Sequence, residues 1–179
     1  MKKITLLIFS IMMIGLISCL DEELPELFNP YEEIDGPAIL MNPLEIYTKV
    51  GENFSINLRL EEVLSFMGVY AELGYDTDVL VFNDYELIES DSSLLVSFSG
   101  EVFSFIEDDS DAGLIKVSLS VAAGSIDSIA SAGDLVQFNF TAKQKQETEI
   151  AFTNECRLTD SNMDEIPIVN LYNGVIYVE

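Results

Sequence analysis

Short runs of β-forming residues, separated by turn signals, fill most of this chain and leave no room for long periodic helices. In Asn53–Leu60, apolar and polar side chains alternate with a period of two, as in a strand that buries one face. The other runs of this kind are Leu44–Val50, Gly68–Tyr75, Val79–Phe82, Leu94–Phe98, Glu101–Ile106, Leu114–Val121, Leu135–Ala142, Glu149–Leu158 and Val175–Val178. Strands in this number and at this spacing predict an all-β fold, either a sandwich or a barrel.

The first nineteen residues show, in order, the features of a bacterial lipoprotein signal. A basic start, Met1-Lys2-Lys3, precedes the apolar run Ile4–Ile17, which is too short to span a bilayer comfortably as a helix. The segment Leu16-Ile17-Ser18-Cys19 resembles a lipobox, in which the cysteine is acylated and becomes the first residue after cleavage. We therefore predict a signal peptide over residues 1–18 and a lipid on Cys19. An ordinary signal peptide, or a membrane anchor that contains a cysteine, is the alternative.

Residues 19–42 are acidic and rich in proline, and they predict a tether with little regular structure. Asp21-Glu22-Glu23, close behind Cys19, is similar to the signal that sends lipoproteins to the cell surface in Bacteroidetes-like bacteria; a solvated tether is the alternative. The predicted order is thus signal peptide, lipidated tether and a folded domain over residues 43–179. We expect that domain outside the cytoplasm, at the bacterial outer membrane or cell surface.

The charge and composition exclude several functions. The chain carries 32 acidic residues against 8 basic ones, a formal net charge of -24, which repels nucleic acid. It has no histidine, the commonest general base and transition-metal ligand, and no nucleophile elbow or phosphate loop. We therefore predict that it is not an enzyme. Once Cys19 is acylated, Cys156 has no disulfide partner in the chain, and its strand-like surroundings predict a small buried apolar residue.

Three segments, in this order, resemble the cohesin module, the β-sandwich of bacterial cellulosomal scaffoldins and of other surface proteins. The first segment, Val50–Leu58, has valine, glycine and an acidic residue before an alternating strand. The second, Gly68–Phe82, has glycine, an alternating strand, Tyr-Asp, a turn and Val-Leu. The third resembles the late and closing strands of the family and consists of Leu135–Lys143, Leu158–Asp160, Ile166-Pro167 and Gly174–Val178. The resemblance covers residues 43–179 and implies an antiparallel β-sandwich with jelly-roll topology and about nine strands.

This resemblance also implies a partner and a binding face. Cohesins bind dockerins, small calcium-loaded helical modules, through one face of the sandwich. The corresponding positions here are the outward residues of two predicted strands, Tyr70, Glu72, Lys116, Ser118 and Ser120. The alternation along Gly68–Tyr75 predicts that Ala71, Leu73 and Tyr75 point inward. In the turn that follows, we expect the Asp76 side chain to hydrogen-bond the backbone two residues on.

Carbohydrate binding is the alternative function. Sugar sites usually rest on exposed aromatic platforms, most often tryptophan, which this chain lacks. Tyr70, Tyr85 and Tyr172 could serve instead and would make polysaccharide the ligand. A third interpretation is a structural surface domain without a specific ligand.

Two acid-rich segments are candidate calcium sites, because Ca²⁺ prefers hard oxygen ligands. One is Glu107–Asp111. The other offers Asp160, Asn162 and Asp164 in the manner of an EF-hand loop, although its sixth position is glutamate instead of glycine. We expect no cofactor, with solvated turns as the interpretation of both segments and calcium as the alternative.

Overall fold

The computed structural model describes residues 34–89, 93–95, 101–122 and 132–179. Within these ranges the chain forms thirteen strands and no α-helix, in two sheets that enclose one apolar core. The predicted all-β sandwich is confirmed, with more strands than the expected nine because several are very short. The strands are β1 (Ala38–Asn42), β2 (Glu45–Thr48), β3 (Asn53–Glu61), β4 (Phe66–Tyr75), β5 (Leu80–Leu87), β6 (Val102–Asp109), β7 (Leu114–Val121), β8 (Gly133–Ala142), β9 (Glu147–Phe152), β10 (Arg157–Asp160), β11 (Glu165–Ile166), β12 (Asn170–Tyr172) and β13 (Gly174–Val178).

The first sheet has the order β12-β1-β3-β8-β5, and the second is built around β4. One edge of β4 pairs with β7, which in turn pairs with β6. The other edge of β4 is shared by β9 and β10; β9 leads on to β13 and β2, and β10 leads to β11. The pairs β1–β12 and β2–β13 are parallel, and the other described pairs are antiparallel.

The core lies between the sheets and follows the period-two alternation of the strands. On β4, Ala71, Leu73 and Tyr75 are buried, as predicted, whereas the residues between them face outward. Opposite them, Phe140 of β8 is fully buried and meets the ring of Tyr75 edge-on at a centroid distance of 5.4 Å. The tight turn after β4 also follows the prediction, since the Asp78 N–H donates to the Asp76 carboxylate at 2.9 Å.

The start of the folded domain differs from the prediction, because residues 38–42 belong to the sandwich and not to the tether. They form β1, which pairs with β3 on one side and with β12 on the other. Ile39 and Met41 have no exposed surface and pack in the core. Pro25, Pro30 and Pro37 among scattered acidic residues made this segment resemble part of a tether, but Pro37 lies just before β1 and removes no ladder hydrogen bond.

One predicted strand is divided in the structure. Residues 149–158 contribute to β9 and to β10, which contact different parts of β4: β9 pairs with its last residues and β10 with its first. The chain between them is held by hydrogen bonds of Thr153, whose N–H donates to the carbonyl of Glu72 at 2.9 Å. From Phe152 to Arg157 the chain takes five residue steps, whereas the partner positions Leu73 and Tyr70 on β4 are only three steps apart. The two extra residues interrupt the ladder and divide the predicted strand.

Several predictions fall outside the described residues. These are the signal peptide, lipidation of Cys19, the tether up to residue 33, and the part of the predicted strand Leu94–Phe98 beyond residue 95. Leu94 and Leu95 themselves are buried. In the part of the chain that the structure describes, no helix is long and apolar enough to cross a membrane.

We expect a fragment of residues 43–179 to be far less stable than one of residues 34–179, because it lacks β1 and leaves an edge of β3 unpaired. Burial of Ile39 and Met41 should contribute about 1.5–3 kcal/mol each, a large part of a typical domain stability of about 5–15 kcal/mol. Thermal unfolding followed by circular dichroism measures the difference. A fragment that begins at residue 37 keeps β1 and is the control; equal melting temperatures for the 34–179 and 43–179 fragments would contradict the assignment of β1.

Candidate functional site

The five residues predicted to contact a partner lie side by side on the outer surface of the second sheet. In the register of β4 with β7, Tyr70 is opposite Ser118 and Glu72 is opposite Lys116, while Ser120 is opposite Gly68. Directly opposite residues of paired strands project to the same side of a sheet. The structure therefore brings all five together on one continuous surface.

Strand β6 extends this surface with two phenylalanines that the sequence analysis did not select. Phe105 pairs with Ser118 and Phe103 with Ser120, so both rings project outward beside the serines. Phe105 is 66% exposed and Phe103 is 57% exposed. We call this surface the aromatic face. It comprises Gly68, Tyr70, Glu72, Phe103, Phe105, Glu107, Lys116, Ser118 and Ser120.

The aromatic face combines bulky rings, small residues and a few charges. One row across four strands consists of Phe105, Ser118, Tyr70 and Arg157. Because serine is small, the surface between the rings of β6 and β4 is low and accessible. At one end of the face Lys116 stands between two glutamates, and among the described residues it forms no close ion pair.

Phe103 and Phe105 were missed because β6 is apolar in both phases of its alternation. Val102 and Ile106 form one set and the two phenylalanines the other. Only one set can face the core, since successive side chains point to opposite faces of a sheet. The pairing of β6 with β7 shows which set faces the core: Ile106 is opposite the buried Val117, so the two phenylalanines project outward. The signal was thus present in the sequence, but reading it required the register.

The acidic segment Glu107–Asp111 does not converge on a common point. Glu107 projects outward, whereas Asp108 projects inward and accepts a hydrogen bond from the Tyr75 hydroxyl at 3.2 Å. Burial raises the pKa of Asp108 above its ordinary value, and burial together with the charge of Asp108 raises the pKa of Tyr75 to about 12. Asp109 accepts the N–H of Ala112 at 3.1 Å and closes the turn between β6 and β7. The carboxylates of Asp108 and Asp109 therefore make hydrogen bonds within and next to the β6–β7 hairpin.

The second candidate calcium segment is also a turn. Oδ1 of Asp160 accepts the backbone N–H of Asn162 at 2.8 Å and that of Asp164 at 2.9 Å. Met163, between them, has a left-handed φ of 66°, as the tight connection from β10 to β11 requires. Among the described residues, no group of three or more acidic or cysteine side chains is placed to hold a metal ion.

The tyrosines considered as a sugar platform lie on three separate surfaces. Tyr70 is on the aromatic face, Tyr85 is on β5 at one edge of the first sheet, and Tyr172 is on β12 at the opposite edge. They cannot form one planar platform. Cys156, predicted to be a buried apolar residue, is half-buried and packs against the core, and burial raises the pKa of its thiol.

One family emerges from the comparison with family models. The family model described as the cohesin domain matches residues 45–178. A comparison with curated protein sequences finds no match.

Solved structures with the same fold come from several organisms. The sixth cohesin of scaffoldin B from Acetivibrio cellulolyticus, solved in complex with a dockerin, has a TM-score of 0.64 at 16% identity and covers 81% of this chain and 100% of its own. A type I cohesin–dockerin complex from Clostridium thermocellum gives 0.62 at 17%, covering 82% and 98%. A non-cellulosomal cohesin from the archaeon Archaeoglobus fulgidus gives 0.59 at 13%, covering 79% and 90%. At these identities the likeness shows the fold.

The hairpin that carries the phenylalanines depends on Gly113, and this gives a prediction. Gly113 has a left-handed φ of 66°, and a Cβ there would overlap the carbonyl oxygen of Tyr75. We expect Gly113→Ala to lower the free energy of unfolding by about 2–5 kcal/mol, through backbone strain and steric overlap together. Gly51→Ala is the matched control, because Gly51 also has a positive φ but open space around its Cα, so only strain of about 1–2 kcal/mol should appear. Urea denaturation measures both; equal losses would contradict the docking of this hairpin against β4.

Proposed function

The chain belongs to the cohesin domain family, and we propose that it is a lipid-anchored surface module that binds a dockerin-type partner protein. The family is one of protein-binding modules and not of enzymes. Two of the similar structures are complexes of a cohesin with a dockerin. The observation that carries the proposal to this chain is the exposed pair Phe103 and Phe105 beside Tyr70, on the surface that the family resemblance selects.

The aromatic face has the composition of a protein interface. Exposed phenylalanines that lie next to each other leave apolar surface in water, and covering them with a partner removes that cost. Aromatic side chains also dominate the binding energy of interfaces when they are central and become desolvated. Because Phe105 and Tyr70 flank the small Ser118, a helix or a flat surface of the partner can approach the sheet closely between the two rings.

The charges on this face favour one orientation of the partner. Lys116 and Arg157 are two of only 8 basic residues in a chain with 32 acidic ones, and both lie in or beside the aromatic face. A partner that places acceptor groups over these cations and donor groups over Glu72 or Glu107 would be selected over one with the opposite arrangement. In this proposal calcium is bound by the dockerin, so binding of the partner should depend on calcium.

The proposal of a lipid anchor rests on the sequence of the first residues. The basic start, the apolar run and the lipobox-like segment that ends in Cys19 support acylation at that cysteine. Each buried acyl methylene contributes about 0.8 kcal/mol to membrane binding. Because the chain is strongly acidic, anionic lipid headgroups repel the body of the protein, and the acyl chains would be the attachment to the bacterial cell surface.

We expect the full chain, immobilised in detergent, to retain a dockerin-bearing protein from the secreted and surface proteins of its organism in calcium, and to release it in EDTA. Calorimetric titration with the dockerin then tests the face. Phe105→Ser and Tyr70→Ala should each weaken binding by about 2 kcal/mol, roughly 30-fold, because each removes a central ring.

Val81→Ser is the matched control, since Val81 is an exposed apolar residue on the first sheet, and it should bind as the parent chain does. The proposal is wrong if the retained proteins carry no dockerin. It is also wrong if Phe105→Ser and Tyr70→Ala both leave the affinity unchanged.

The anchor has its own test. Cys19→Ser should abolish incorporation of a labelled fatty acid and block cleavage after residue 18, because the acylated sulfur is lost. Cys156→Ser should keep both, and so serves as the control. Labelling in cells, followed by mass measurement of the intact protein, gives the result. A fatty acid retained in the Cys19→Ser protein would contradict the proposal that Cys19 carries the lipid.

A further inference from the structure

The outer surface of the first sheet contains an open groove of about 420 Å³ on strands β3, β5 and β8. It lies on the opposite side of the sandwich from the aromatic face. Six of the seven lining residues are polar, and the seventh, Phe54, stacks its ring on Phe140 of the core. The polar lining residues are Asn53, Ser55, Asn83, Asp84, Asn139 and Thr141.

Hydrogen bonds hold these side chains in fixed orientations. The Thr141 hydroxyl donates to the Asn53 side-chain oxygen at 2.7 Å and accepts from Asn83 Nδ2 at 2.9 Å. One step along the sheet, Asn139 accepts from the Ser55 hydroxyl at 2.7 Å and donates to the Asp84 carboxylate at 2.6 Å. Each amide NH₂ carries two donor hydrogens, so hydrogen-bonding capacity remains on the solvent side.

Strand stability does not explain this choice of residues. Asparagine and aspartate are among the residues that strands disfavour, yet Asn53, Asn83, Asp84 and Asn139 all occupy strand positions here. The pairing of β5 with β8 shifts register between Phe82 and Asp84. This bulge lets the consecutive Asn83 and Asp84 both contact side chains of β8, whereas a regular strand would turn them to opposite faces. Bulges often re-aim side chains at functional sites.

The chemistry of the lining selects the class of ligand. An apolar ligand would cover the amide, hydroxyl and carboxylate groups of the lining without hydrogen-bonding them, which is costly, and a phosphate would meet Asp84 in a chain of net charge -24. A divalent cation prefers several converging carboxylates, and the lining contains only Asp84. Amides, hydroxyls and one carboxylate, fixed in an open groove, offer donors and acceptors together, which is what the hydroxyl groups of a sugar require.

We propose that this groove binds a neutral polysaccharide chain. The site is independent of the dockerin proposal, because it lies on the other sheet, and the two ligands can be bound at the same time. It also differs from the sugar platform considered from the sequence, since it depends on oriented polar groups instead of Tyr70, Tyr85 and Tyr172. The molecule would then attach a protein on one side and a glycan on the other.

Affinity electrophoresis of the full chain in neutral detergent tests the proposal. Native gels contain arabinoxylan, glucomannan, hydroxyethylcellulose or amylopectin, with polygalacturonate as the acidic comparison. We expect retarded migration in at least one neutral gel and none in polygalacturonate. Asn139→Ala should reduce the affinity about five- to tenfold, as expected for the loss of one or two hydrogen bonds. Phe105→Ser, on the aromatic face, should be retarded as the parent chain is.

Thr141→Val is the second variant, because it removes the hydroxyl while keeping the size and branching of the side chain; thermal unfolding verifies that each variant is folded. The proposal is overturned if none of the four neutral polysaccharides retards the parent chain. It is also overturned if the folded Asn139→Ala and Thr141→Val proteins are retarded as strongly as the parent, or if Phe105→Ser loses the retardation.

Discussion

The pairing of β4 with β7 is the interaction on which the rest of the structure depends. It runs from Gly68 opposite Ser120 to Gly74 opposite Leu114, and it places the inward residues of both strands in the core. A register slip of one residue would expose the side chains of Ala71 and Leu73 to water and bury those of Tyr70 and Glu72 in the core. Core burial therefore fixes the register, and the register fixes which side chains stand together on the aromatic face.

This dependence explains how far the sequence alone could go. The alternation within Gly68–Tyr75 and Leu114–Val121 was enough to predict which residues of each strand point outward, because each strand is apolar in a single phase. That the two strands share one binding face was implied by the resemblance to cohesins. Strand β6 is apolar in both phases, so the positions of Phe103 and Phe105 could be assigned only from its neighbour β7. β1 was missed for a different reason: its apolar run is short, and the prolines and acidic residues before it indicated a tether.

The outer surfaces of both sheets contain residues that do not favour folding stability: apolar residues exposed to water on the second sheet, and residues that strands disfavour on the first. On the second sheet, Phe103 and Phe105 leave apolar surface in water. On the first sheet, Asn53, Asn83 and Asn139 occupy strand positions that β-branched residues would fill better. Positions where a local preference is broken without a gain in packing are where function is expected. Among the described residues, the buried strand positions are mostly aliphatic or aromatic, and the buried Asp134 is paired with Arg59, Asn42 and Asn57.

In the proposed binding of a partner, the large negative charge and the aromatic face would act at different stages. At physiological ionic strength, charges are screened over about 8 Å, so the net charge of -24 mainly influences the approach of a partner and disfavours acidic ones. In the proposed complex, the burial of Phe105 and Tyr70 would govern how slowly the partner leaves, because differences in affinity between related complexes arise mostly in dissociation. Exposed rings on so acidic a protein would thus give the proposed complex a slow dissociation while the net charge limits association with acidic proteins.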